Sequence, residues 1–255
     1  MDRSMSNLRT ISRAYSYGTP DYGWNPDGVK RAIWLLIGTN TAVFGAWQYA
    51  DATRDSSLLQ LLHDNATSST ANLRAGRYWT LLTAAFSQKD LTHFAFNMWG
   101  LYMFGRILAY VPGVRASQVL GLAVGSALAG SLSALYFPGG RKETRDPRWG
   151  PNAQHFKPQE AKVTLGASGV VMGVAAAAAG LMPSLTMYIF PIPIPIPLWI
   201  TVGLYAATDY WYLDSGDNRS HSAHLAGTAF GAFFYAVFLK RYGGVWHMLR
   251  RGPRY

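Results

Sequence analysis

The sequence predicts an all-α membrane protein, and two features carry that reading. Charged residues crowd into the two ends and a few connectors. The stretches between them are apolar and nearly free of charge, and the longest approach the roughly 20 residues a helix needs to cross a hydrocarbon core. Within lipid, a helix satisfies all its backbone N–H and C=O groups internally, which leaves a helical bundle as the spanning form short of a barrel. Bulk composition says less: the apolar fraction is 49% and the mean hydropathy +0.03. A soluble helical protein would scatter its charges along helix faces every few residues.

The net charge of +10 over 255 residues lies in the flanks of the apolar stretches. Basic flanks are a mark of membrane topology, and no continuous basic stripe is present, so nucleic acid is not an expected partner. The absence of cysteine excludes disulfides, thiolate metal sites and a cysteine nucleophile. Lysines and arginines divide almost evenly between the two faces of the expected topology and assign no orientation. The sequence assigns no oligomeric state.

Residues 1–30 form a polar segment with Arg3, Arg9, Arg13 and several serines, the composition of a mitochondrial presequence. Arg13-Ala14-Tyr15-Ser16 reads as a matrix-peptidase site cut before Ser16. The span-bearing domain is expected over 31–241, with a basic tail at 242–255. Span 1 is Ala32–Ala50. A long connector, Asp51–Asp90, follows, and its half-apolar piece Tyr78–Phe86 is too short to cross and is expected at the interface. Span 2 is Leu91–Val111, span 3 Ser117–Phe137 and span 4 Leu165–Met182. Pro138–Thr164 is a charged, Pro/Gly-rich insertion that reads as a solvated loop. Pro191, Pro193, Pro195 and Pro197 alternate with isoleucine, which excludes a helix interior and predicts an extended run leading into span 5, Leu198–Leu213. Span 6 is Ser222–Leu239.

Polar groups inside these spans carry the functional reading. His93 and Asn97 lie in span 2, Ser168 in span 4 and His224 in span 6, each within the first two turns. Spans 2, 4 and 6 are separated by one crossing each, so they run in one direction and bring these groups to one face of the membrane. Polar groups at membrane depth are costly and mark functional sites. His93 and Asn97, four apart, share a helix face. Ser168 lies at a helix start between Gly166 and Gly169, where free N–H groups and the positive end of the dipole favour an oxyanion. His224 stands beside Ala223, Ala226 and Gly227, small enough for its ring to approach span 4. An imidazole next to a serine can take its proton as a bond forms. Taken singly, each of these residues reads more simply as a packing or hydrogen-bonding group. Their coincidence on three parallel spans is what points to a site. Gly169/Gly173 and Gly227/Gly231 have the four-residue spacing of close helix contacts. His63, His155, His221 and His247 read as surface or loop residues without metal-ligand spacing. Asp209, Asp214 and Asp217, placed in the connector before span 6, are candidates for a third triad member.

Gly166-Ala167-Ser168-Gly169, His93 with Asn97, and Ala223-His224-Leu225-Ala226-Gly227 together resemble the rhomboid proteases, in order and spacing, over Gly76 to Leu239. The resemblance implies a six-transmembrane-helix rhomboid bundle and an intramembrane serine protease that cuts membrane-anchored proteins in or near their transmembrane segments. It implies a Ser168–His224 dyad with no essential aspartate. The oxyanion is expected to be held by the Ser168 N–H, His93 and Asn97, with Gly166, Gly169 and Gly227 as supporting packing. Span 5 and the loop Asp209–His221 resemble the family's substrate gate. Met172 four residues after the serine, His221 three before His224, and the tail Trp246-His247 to Gly252-Pro253 are similar to the mitochondrial, presenilin-associated rhomboid-like branch, so the inner mitochondrial membrane is the expected location. Transmembrane substrates and the bilayer are the expected partners, and no cofactor is implied. The alternative from another class is a catalytically silent rhomboid-like protein that binds membrane clients.

Overall fold

The computed structural model describes residues 25–137, 163–189, 192–213 and 221–251. The expected presequence, most of the insertion loop and the final Gly-Pro of the tail lie outside them. Each expected span is a helix: α1 (Pro26–Thr53), α5 (Leu91–Ala109), α6 (Ala116–Tyr136), α7 (Ser168–Leu181), α8 (Leu198–Trp211) and α9 (His221–Phe234). α9 continues through a π turn, Tyr235–Leu239, and a 3₁₀ turn, Lys240–Tyr242. Two of these runs, Ala116–Tyr136 and His221–Tyr242, are long and apolar enough to cross a membrane.

α1 starts earlier than hydropathy alone suggests because Asn25 and Pro26 form a helix start. The Asn25 side chain accepts from the Gly28 N–H at 2.8 Å, and proline at the first helical position gives up only an N–H that would be unpaired anyway. The connector Asp51–Asp90 departs from the long loop expected of it. It folds into α2 (Ser56–Ala66), α3 (Thr70–Arg74), α4 (Thr80–Thr83) and a 3₁₀ turn, Ala84–Phe86. Asp55 caps α2 and Ser69 caps α3, by accepting from the N–H groups of Leu58 and Asn72. Such local caps determine structure that an apolar pattern cannot reveal.

The described part of the proline run, Ile192–Pro197, is extended as expected, but it is also paired. β1 (Thr186–Ile189) and β2 (Ile192–Pro197) form an antiparallel hairpin, with Pro195 opposite Tyr188 and Pro197 opposite Thr186. In a two-stranded ribbon only every second N–H faces the partner, so prolines at alternate positions need not break the ladder. The all-α expectation is therefore corrected by one small hairpin. The last short helix is α10 (Val245–Arg251).

The packing places α7 in the centre. A Cβ built on Gly227 of α9 would meet the Gly169 carbonyl oxygen at 2.1 Å, and one on Gly231 would meet the Gly173 oxygen at 2.1 Å. Contacts rise together in both helices, so α7 and α9 are parallel. α6 runs the other way: Gly130 faces Gly169, and Ser126 faces Gly173. α5 meets α7 where Val171 fills the space beside Gly100. α1 runs antiparallel to α5, with Phe44 stacked on Phe94 at 4.2 Å and Ile33 packed against Gly105.

Gly227→Ala is expected to force a backbone shift between α7 and α9 and to cost about 1–3 kcal/mol, the usual penalty of overpacking. Gly203→Ala on α8, where nothing lies within 4 Å, should be neutral or stabilise by up to about 1 kcal/mol through helix propensity. Thermal unfolding of the two variants in detergent measures the contrast.

Candidate active site

Ser168 is the first residue of α7, and the chain leading to it is held in place by the first connector. Ser68 and Thr164 exchange backbone hydrogen bonds at 2.8 Å each, and the Gly166 N–H donates to the Ala84 carbonyl at 2.9 Å. Gly166 has φ 134, a conformation L side chains rarely adopt. It also separates two predicted site residues: a Cβ there would lie 3.2 Å from His93 Cε1 and 3.9 Å from Ser168 Oγ. The serine hydroxyl and the His93 ring thus flank the same glycine. Ser168 N–H is among the first N–H groups of α7, which find no acceptor within the helix.

His93 is placed by its own helix cap, since Asp90 Oδ1 accepts from the His93 N–H at 2.6 Å. Asn97 is buried one turn on and belongs to a chain of amides. Its Nδ2 donates to Gln88 Oε1 at 2.7 Å, Gln88 Nε2 donates to Asn40 Oδ1 at 3.1 Å, and Asn40 Nδ2 donates to the Leu36 carbonyl at 2.9 Å. Gln88 and Asn40 are themselves buried. The chain runs from α1 through the connector to α5 and fixes which way the Asn97 amide faces. Neither Gln88 nor Asn40 stood out in the sequence, because a single buried amide has no spacing signature.

The connector is tied together by further polar contacts. Arg77 bridges Asp64 at 3.2 Å and donates to Asn72 Oδ1 at 3.0 Å, while Trp79 Nε1 donates to Asn65 Oδ1 at 3.1 Å. His63 lies edge-on to Trp47. Desolvation, then the Lys89 charge, hold His63 below the usual imidazole range.

His224 lies in the first turn of α9, three residues before Gly227, where α9 touches α7 at Gly169. Its surroundings correct two expectations. Asp209 is not in a loop; it lies near the end of α8, at 6% exposure. His221 is not a surface residue; it opens α9 at 7% exposure. Asp209 Oδ1 lies 2.7 Å from His221 Nδ1 and 2.9 Å from His224 Nδ1. Tyr212 stacks on His221 with 6.0 Å between centroids. The three ligand atoms of Asp209, His221 and His224 lie within 4.8 Å of one another, so among the described residues this trio could also take a metal ion. A metal would have to displace both hydrogen bonds to Asp209. His63 and His247 are on helices α2 and α10, apart from this cluster, and His155 lies outside the described residues.

This fold and site define a helical membrane protein with a serine at a helix start, two histidines and an amide on neighbouring helices. The Rhomboid domain family matches residues 75–241, and the chain belongs to the rhomboid family. It is 30% identical over 209 residues to "Rhomboid protein 1, mitochondrial" of Saccharomyces cerevisiae, covering 80% of this chain and 52% of that protein. It is 32% identical over 214 residues to "RHOMBOID-like protein 12, mitochondrial" of Arabidopsis thaliana, covering 80% and 57%. An uncharacterised mitochondrial rhomboid protein of Schizosaccharomyces pombe is 28% identical over 239 residues, covering 75% and 59%. The chain thus spans little more than half the length of these relatives. No solved structure matches it. Family and apolar helices together make the chain an integral membrane protein of the mitochondrial rhomboid kind.

Gln88→Ala leaves the Asn97 amide N–H and the Asn40 carbonyl without partners in a buried place. The expected cost is about 1–3 kcal/mol for each orphaned group, read as a lower unfolding midpoint in detergent.

Proposed function

We propose that the chain is a six-span serine endopeptidase of the inner mitochondrial membrane, cutting membrane-anchored proteins in or near their transmembrane segments. The observation that carries this reading is Ser168 at the start of α7, with His93 across Gly166 and α7 locked to the helix of His224 at Gly169/Gly227. Ser168 Oγ attacks the scissile carbonyl carbon while His224 Nε2 takes the hydroxyl proton. The tetrahedral intermediate places its oxyanion against the Ser168 N–H and the side chains of His93 and Asn97. Collapse breaks the C–N bond, and the His224 proton goes to the departing amine. Water, deprotonated by the same imidazole, then releases the acyl group from Ser168. No cofactor takes part in these steps.

The substrate is a membrane helix that unwinds at small or helix-breaking residues, because a hydrogen-bonded helix hides its carbonyls. α8 is the gate through which it enters. α8 suits that role in that it is short and carries exposed Trp199, Leu204, Tyr210 and Trp211 on its surface.

Purified wild type in liposomes should label with a fluorophosphonate serine probe and cut a transmembrane reporter. Ser168→Ala and His224→Ala should lose both reactions. Asn97→Ala also orphans Gln88 Oε1 and should lower the unfolding midpoint, and its folded fraction should lose roughly 10²–10³ in kcat, the usual cost of one oxyanion donor. A folded wild type that neither labels nor cuts, where a known rhomboid does both, would leave the client-binding reading instead.

A further inference from the structure

The mechanism above uses His224 and leaves out Asp209, which contacts its ring, and His221, which contacts the same carboxylate. Asp209 comes from α8 and both histidines from α9, so the carboxylate bridges two helices. Its single oxygen Oδ1 meets Nδ1 of both rings, at 2.7 and 2.9 Å, and Asp209 and His221 are both more than nine-tenths buried. An ionised carboxylate only accepts hydrogen bonds, so each ring must carry a proton on Nδ1. In neutral His224 that puts the lone pair on Nε2. A base for Ser168 needs that tautomer and a ring that cannot rotate away.

Resting on the protease reading of the preceding subsection, we propose that Asp209 is a positioning residue for the reaction, holding His224 as the Nδ1-protonated base, and that His221 is the second anchor that keeps the carboxylate in place. Asp209 does not take up the serine proton. That proton goes to His224 Nε2, and the imidazolium so formed is stabilised by the carboxylate at 2.9 Å. His221 spans the same oxygen from one turn earlier on α9, so Asp209 cannot follow His224 out of line without breaking a second buried bond. The site then works as a serine, a histidine and an aspartate, with a second histidine bracing the aspartate.

The test combines kinetics with a spectroscopic readout on the unaltered chain. In liposomes, Asp209→Asn should lower kcat about a hundredfold or more, toward the roughly 10⁴-fold loss seen when a triad aspartate is made neutral, with KM unchanged. His221→Gln should lower kcat less than Asp209→Asn, again without moving KM. Because Asp209→Asn can fail to fold, ¹⁵N-histidine NMR of wild type reads the tautomer directly. The chain has six histidines, and the His224 signal is assigned by its absence in His224→Gln. A downfield Nδ1–H for His224 is the expected result. Wild-type kcat in a folded Asp209→Asn, or an Nε2-protonated His224 in wild type, overturns the proposal while leaving the protease reading standing. Turnover abolished by a chelator and restored by zinc also overturns it, assigning the trio to a metal. A wild type without labelling or cleavage overturns both readings together.

Discussion

Backbone contact between α7 and α9 at Gly169/Gly227 and Gly173/Gly231 is the constraint on which the rest of the site depends. In lipid, apolar side chains gain little by leaving a solvent as apolar as themselves, so close approach and dispersion must hold helices together. Two glycine pairs let the helices touch with carbonyl oxygens where side chains would otherwise stand. The same register brings the first turn of α9, with His224, to the level of the first residue of α7. A side chain at either crossing would separate Ser168 from the first turn of α9. α8 then closes against both helices and supplies Asp209 to the histidine pair.

A second constraint comes from outside the apolar helices. The connector between α1 and α5 holds the approach to Ser168 through Ser68–Thr164 and Ala84–Gly166, and it supplies Gln88 to orient Asn97. Its own shape rests on capped short helices and on the Arg77–Asp64–Asn72 contacts. Ser168 and Asn97 are thus anchored to one polar substructure, whereas His224 is anchored from α8. The two halves of the proposed site are positioned by different parts of the chain.

Much of this was legible in the sequence for a physical reason. Apolar runs bounded by charges gave the helices, and the position of Ser168, His93, Asn97 and His224 near the starts of parallel runs follows from counting crossings. The four-residue glycine spacing also found its partner in the structure. What escaped was structure set by single local contacts. Asn25-Pro26 extended α1, and Asp55 and Ser69 nucleated helices in a segment that looked like loop. The proline run was recognised as extended, but its pairing with Thr186–Ile189 depends on a partner strand with no distinctive pattern. Asp209 and His221 were misplaced because their meaning is pairwise: Asp209 has no partner at helical spacing in its own element, and the carboxylate that buries His221 beside His224 sits 12 and 15 residues before the rings it joins.

Assembly of one site from the starts of α5, α7 and α9 is tested most directly by an experimental structure of wild type in a lipid nanodisc after reaction with a fluorophosphonate. The expected structure has phosphorus bonded to Ser168 Oγ, the phosphonyl oxygen facing the Ser168 N–H, His93 and Asn97, and His224 Nε2 beside the adduct. Phosphorus on another residue, or a Ser168 adduct with His224 turned away and its oxygen facing solvent, would contradict it.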